Sequence, residues 1–328
     1  MKRVLVLGAT GFIGGHIARM ALDRGWDARG LRRQSGTTGH LGEAPVSWFE
    51  GDIDQPDTIM AAFEGVEIVF HVAGYYPSHA REIPDQIAHA VRQTRGILDV
   101  ARRTTVARMV YTSSMTTIGL PPVHEERLAD ERDLYIPGSV PRSAYYECKY
   151  AMESEVLRAA LAGLPVVVVN PTAVFGPGDH HQALGGVLLA VARGQAIGWL
   201  PASINVVDVR DVAAAQLQAA EVGSLGERYI LGGHNDTLRN LLSLSAEIVG
   251  VRAPRIEIPL KLVELLLTLG KVIPELDRAG NHLRAIRTWQ AYDCSKAEQE
   301  LGLTPRPLRQ TLEDALSWYR VHGYLGKP

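Results

Sequence analysis

Short apolar runs bounded by turn-forming residues recur along the first half of the chain, at Val4 to Leu7, Ala28 to Leu31, Val46 to Phe49, Ile68 to Val72, Met109 to Thr112 and Val166 to Val169. Between them lie segments with helical periodicity: Ile13 to Arg24, Asp57 to Phe63, Asp85 to Arg103 and Ser143 to Leu161. Strand-length apolar runs separated by amphipathic stretches predict parallel strands joined by crossover helices. The central runs are apolar at nearly every position, so helices are expected over both sheet faces. The expected fold class is α/β, a doubly wound parallel sheet.

After Pro171 the alternation loosens, and Gly176-Pro177-Gly178-Asp179-His180-His181 reads as a loop leaving the sheet. Val206 to Val209 and Tyr229 to Leu231 look like returning strands, whereas Leu238 to Val249, Lys261 to Leu269 and Leu308 to Val321 look helical. The expected division is a sheet domain of residues 1–171 plus 204–232 and a smaller mixed α/β lobe of residues 172–203 plus 233–328.

The chain has 328 residues, 46% of them hydrophobic, enough to bury a large core. A formal charge of -2 supplies no polybasic footprint for nucleic acid or anionic lipid, which leaves a small molecule as the expected partner. Only Cys148 and Cys294 occur, without paired spacing, so neither a disulfide framework nor a metal site is expected and a reducing cytoplasm fits. Lys2 and Arg3 followed by apolar residues superficially resemble a signal peptide, but Gly8, Gly11, Gly14 and Gly15 break that run and make it a first strand. The apolar stretch from Ile258 to Ile273 is interrupted by Lys261, Glu264 and Lys271 and reads as a buried or lid-forming helix, not a membrane span.

Chemistry is concentrated at two places. Gly8-x-x-Gly11-x-x-Gly14 follows the first strand and opens a helix, with Thr10, Phe12 and Ile13 between the glycines. Glycines let the backbone turn sharply and approach a pyrophosphate, and the helix N-terminus offers free N–H groups, so this is a dinucleotide-binding turn of the Rossmann kind. Arg32 and Arg33 stand where an acidic residue would accept from the ribose of NAD; guanidinium groups there favour a 2′-phosphate, hence NADP over NAD. Asp52 and Ile53 follow the third strand, where Asp52 can accept from the adenine amino group or cap the helix starting near Pro56. Val72 and Ala73 end the fourth strand, where small residues permit close cofactor approach.

The second place joins Thr112-Ser113-Ser114, at the end of the fifth strand, to Tyr145 and Lys149. An i, i+4 pair shares one helix face, so the Lys149 ammonium can lie beside the Tyr145 phenol and favour its ionised form. Over nearly its whole length the chain resembles the extended short-chain dehydrogenase/reductase family, through Thr10-Gly11-Phe12-Ile13-Gly14, His71-Val72-Ala73, Thr112-Ser113-Ser114 and Tyr145-x-x-x-Lys149. The resemblance implies Tyr145 as general acid/base, Lys149 on the nicotinamide ribose and Ser114 on the substrate oxygen, with Ser113 the alternative serine. Pro171 and Thr172 join the implied cofactor contacts. It also implies a homodimer pairing through the helices Asp85 to Arg103 and Ser143 to Leu161.

Departures narrow the chemistry. Met115-Thr116 follows Ser114 where sugar-nucleotide 4,6-dehydratases carry an Asp-Glu pair, which disfavours dehydration. Ala173 replaces an asparagine that epimerases use to hold a nucleotide sugar, and the diphosphate-binding arginine before Asn205-Val206-Val207-Asp208 is missing. Ala90 stands where the family often supplies an asparagine to its proton relay. Pro171-Thr172-x-Val174-x-Gly176-Pro177 looks like the dihydroflavonol 4-reductase and cinnamoyl-CoA reductase branch, whereas Gly226 to Gly233 is similar to hopanoid-associated sugar epimerases. Tyr75, Tyr76 and Phe175, and beyond them His79, Tyr146, His180, His181 and Trp199, are candidate walls for a ring substrate. Three functions follow: an NADP(H)-dependent reductase or dehydrogenase of a carbonyl or secondary alcohol, a sugar epimerase with retained cofactor, and a non-catalytic NADP(H) sensor. The intact Tyr145 and Lys149 argue against the last.

Overall fold

The computed structural model describes residues 1–77, 79, 81–104, 106–182, 184–263 and 288–325. Its strands are β1 (Arg3–Leu7), β2 (Asp27–Arg32), β3 (Ser47–Glu50), β4 (Ile68–His71), β5 (Arg108–Thr112), β6 (Val166–Pro171), β7 (Ala173–Phe175), β8 (Gly198–Trp199), β9 (Ser203–Asp208), β10 (Arg228–Leu231), β11 (His234–Thr237) and β12 (Ile256–Glu257). Its helices are α1 (Phe12–Asp23), α2 (Met60–Phe63), α3 (Ile83–Arg103), α4 (Ala144–Leu161), α5 (Gly185–Ala192), α6 (Val209–Val222), α7 (Leu238–Val249), α8 (Ser295–Leu301) and α9 (Leu308–Val321).

Seven parallel strands form one sheet in the order β10-β6-β5-β4-β1-β2-β3, the expected doubly wound Rossmann topology. Successive residues of a strand point to opposite faces, and β1 shows both faces buried. Val4 and Val6 pack with Ile17 and Val212 from α1 and α6, whereas Leu5 and Leu7 pack with Ile97 and Val156 from α3 and α4. The strand order reverses between β1 and β4, so a crevice opens at their carboxyl ends. The glycine turn, Val72 and Ala73 all sit there.

The connection from β3 to β4 differs from the helix read over Asp57 to Phe63: a 3₁₀ turn (Pro56–Ile59) leads into the single α-helical turn of α2. Beyond β6 the chain leaves the large sheet. β9 pairs in parallel with β7 and antiparallel with β11, and the short β8 and β12 pair with each other. β10 then returns to the large sheet beside β6. The helix read from Lys261 to Leu269 lies, from residue 264 onward, outside the described residues. No helix among the described residues is long and apolar enough to cross a membrane.

Candidate active site

Helix α4 starts at Ser143, whose side chain accepts from the Tyr146 N–H at 3.5 Å. Tyr145, Lys149 and Glu153 follow at four-residue spacing on one helix face. Past the end of β5 the chain enters a 3₁₀ turn (Met115–Thr117) capped by Ser114, which brings the Ser114 Oγ to 3.5 Å from the Tyr145 Oη. Lys149 Nζ lies 5.9 Å from the Tyr145 ring centroid, and the Tyr76 ring centroid lies 5.1 Å from it. The three residues expected to carry the chemistry therefore converge.

Their supports were not read from the sequence. Glu153 is buried and forms an ion pair with Arg228 of β10 (Nε to Oε1, 3.0 Å). Its other oxygen accepts from Asn170 Nδ2 of β6 at 2.7 Å and lies 2.7 Å from Thr117 Oγ1. Asn170 Nδ2 also lies 3.2 Å from the Ser114 carbonyl oxygen, and Thr117 Oγ1 lies 2.9 Å from it. One buried carboxylate thus ties the serine loop to the helix carrying the phenol. The readable signal was the charge at Glu153, four residues past Lys149 on the face turned to the sheet, and the lone arginine opening the otherwise uncharged β10.

At the cofactor end, α1 has Gly11 as its N-cap, no side-chain cap and no acidic residue in its first turn, so its leading N–H groups are left for an anion. Gly8 has φ +97, and a Cβ on it would meet the Ala73 nitrogen at 2.9 Å; on Gly14 it would meet the Gly8 oxygen. The turn is thus closed against the end of β4 and suits a pyrophosphate. Thr10 lies under Gly39, and His40 packs over Gly15. Arg32 lies over the Trp48 ring at 5.6 Å, with one nitrogen 3.4 Å from Glu50, its Nε buried without a partner, and Arg33 exposed beside it. Asp52 does not make the expected cap on the Pro56 turn; its Oδ1 instead accepts from the Asp54 N–H at 3.0 Å. Ile53 packs on the core, Thr112 donates to Gln216 at 2.9 Å, and the Ser113 Oγ is buried without a partner.

A cavity of about 250 Å³ opens over Ser114 and Tyr145, walled by Phe12, Ile13, Tyr76, Ser113, Met115, Thr116, Ser143, Tyr146, Pro171, Thr172, Val174, Asp179, Leu184 and Trp289. Phe175, expected in this wall, points into the core at 3% exposure; the alternation along β7 gives its place to Val174. Tyr75 is also turned away, donating to Gln86 at 3.1 Å and stacking on His89. His79 contacts Gln86, His180 packs on Trp318, His181 is exposed, and Trp199 lies under Arg239. Met115, Val174, Asp179, Leu184 and Trp289 were missed, because nothing in their spacing distinguishes a cavity wall from ordinary packing. Burial pushes the Tyr146 phenol up to about 12 and the Cys148 thiol up to about 12, so both stay protonated at neutral pH. Burial, reinforced by the nearby Lys149 charge, pushes His71 down to about 3.

Comparison with known proteins agrees with this geometry. Residues 4–232 match the family model described as the NAD dependent epimerase/dehydratase family. The chain is 34% identical to the Synechocystis sp. protein named "Putative dihydroflavonol 4-reductase", over 98% of this chain and 95% of that one. It is 31% identical to Sterol demethylase protein B of Methylococcus capsulatus, over 98% of this chain and 99% of that one. The crystal structure of PA4631 from Pseudomonas aeruginosa, titled a nucleoside-diphosphate-sugar epimerase, superposes with a TM-score of 0.85 at 27% identity, covering 99% of each chain. From glycine turn to paired serine and tyrosine, the chain belongs to the NAD-dependent epimerase/dehydratase family of extended short-chain dehydrogenases/reductases and is an NAD(P)-dependent enzyme.

Proposed function

We propose that the enzyme is an NADPH-dependent reductase of a ring-bearing carbonyl compound, working reversibly on the corresponding secondary alcohol. The observation that carries this reading is the 3.5 Å approach of Ser114 Oγ and Tyr145 Oη at the wall of a cavity whose described lining contains no cation. Without a cation, a nucleoside diphosphate has no charge partner there. When bound, the cofactor supplies the hydride. Tyr145 donates its phenolic proton to the carbonyl oxygen as charge develops on it, and Ser114 holds that oxygen by a second hydrogen bond. Lys149, one turn along α4, orients the nicotinamide ribose.

The test is NADPH consumption over a panel of ketones and aldehydes, repeated with Tyr145→Phe. We expect that variant to lose about 10²-fold or more in kcat while binding NADPH as the parent does by fluorescence titration. Unchanged turnover would assign the proton to another group.

An epimerase is the second reading, favoured by the PA4631 likeness. It predicts cofactor that copurifies with the protein and sugar turnover without net NADPH consumption. A cytoplasmic location is part of the proposal, consistent with two buried thiols that are not joined; cell fractionation tests it. So is a homodimer built on α3 and α4.

A further inference from the structure

We propose that Asp179 is a second anchor for the substrate, its carboxylate accepting a hydrogen bond from an O–H or N–H group remote from the reacting carbonyl. The inference rests on the reductase reading of the same cavity and adds the class of molecule it takes: a ring ketone, uncharged or cationic, bearing a hydrogen-bond donor.

Asp179 lies on the loop leaving β7 and is only 5% exposed, yet it lines the cavity that Ser114 and Tyr145 open on. One oxygen, Oδ2, accepts from the buried Tyr319 hydroxyl of α9 at 2.9 Å. Among the described residues no donor reaches the other oxygen and no cation forms an ion pair with the carboxylate, which faces the cavity. Buried carboxylates are ordinarily paired or multiply hydrogen-bonded. Tethering α9 would need only a neutral acceptor, so the charge and the open oxygen ask for another occupant. Of the neighbouring walls, Leu184 and Val174 carry no donor, the Trp289 indole N–H makes no hydrogen bond to the carboxylate, and the Thr172 hydroxyl is committed to Asn205 at 2.7 Å. A substrate donor completes the set. An acidic group at that end would meet the carboxylate and be repelled.

The test compares the parent with Asp179→Asn, which still offers Tyr319 an amide oxygen, and Asp179→Ser, which withdraws the carboxylate from the cavity altogether. Protein loaded with NADP⁺ is titrated by calorimetry with unsubstituted tetralone, its ring-hydroxylated isomers and a ring-carboxylated counterpart, and NADPH turnover is followed in parallel. At least one hydroxylated isomer should bind about tenfold or more tightly than tetralone, as expected for a hydrogen bond to a charged group, with the acid weakest. In either variant that advantage should fall to about twofold with tetralone affinity unchanged. Equal binding of all ketones by the parent, no binding of any hydroxylated isomer, or full preference retained in both variants would overturn the proposal. Preference without turnover would sink the reductase reading and leave the anchor standing; turnover without preference would do the reverse.

Discussion

At the residue scale, the proposed preference for NADP rests on Arg32 and Arg33, and Arg32 is the one with a contact to give up. Its contact to Glu50 is 3.4 Å long, and that carboxylate is 55% exposed, the kind of pair that contributes little. A 2′-phosphate can therefore displace it at small cost. Arg32→Ala should raise the NADPH dissociation constant by about tenfold or more, the loss expected of a charge-assisted hydrogen bond, and leave NADH binding nearly unchanged. Equal losses for both cofactors, by fluorescence titration, would remove the arginine from phosphate recognition. The proximity of Tyr145, Lys149 and Ser114 was legible because the proposed proton transfer would dictate residue type and spacing. Phe175 was misplaced because a strand exposes alternate residues, and a one-position error in parity exchanges wall for core.

At the element scale, the parallel strands were legible because burial on both faces forces continuous apolar runs. Helix α4 was read over Ser143 to Leu161, with Ser143 proving to be its cap, and α9 was read with its observed limits. The missed helices had weaker patterns. Gly185 to Ala192 is apolar on every side, so it has no stripe to detect, whereas α6 carried a readable start in Asp208, which accepts from the Arg210 N–H at 2.8 Å. Each charge stands out in the sequence but neither names its partner, and the Glu153–Arg228 pair holds two elements that flank Ser114. Arg228→Met leaves that carboxylate buried and unpaired, and should cost about 3–5 kcal/mol of stability in urea unfolding. A loss under about 1 kcal/mol, within the range of exposed pairs, would mean that Asn170 and Thr117 alone satisfy Glu153.

At the scale of the whole molecule, burial sets a floor on the working pH. His40 is held down to about 4, first by burial and then by His16 and His180, and His71 is held down to about 3. Unfolding returns both to the ordinary value near 6.5. Below that value the unfolded chain binds protons the folded one refuses, so their contribution is whole above about pH 6.5 and is lost as pH falls toward 4 and then 3. The melting temperature should fall over that window, and less steeply in His40→Gln. A flat profile would show that neither imidazole is protected. Sedimentation at working concentration should give twice the 35.8 kDa chain mass if α3 and α4 pair between copies, and a monomer would refute the pairing. The placement of β10 beside β6 has a further consequence, for synthesis. Once residues up to 171 have cleared the ribosome, Val166 to Val169 form a bare sheet margin, and that margin stays open until Arg228 to Leu231 emerge as well. Fragments ending between those points should precipitate, because the seven-stranded sheet is complete only with Arg228 to Leu231 in place.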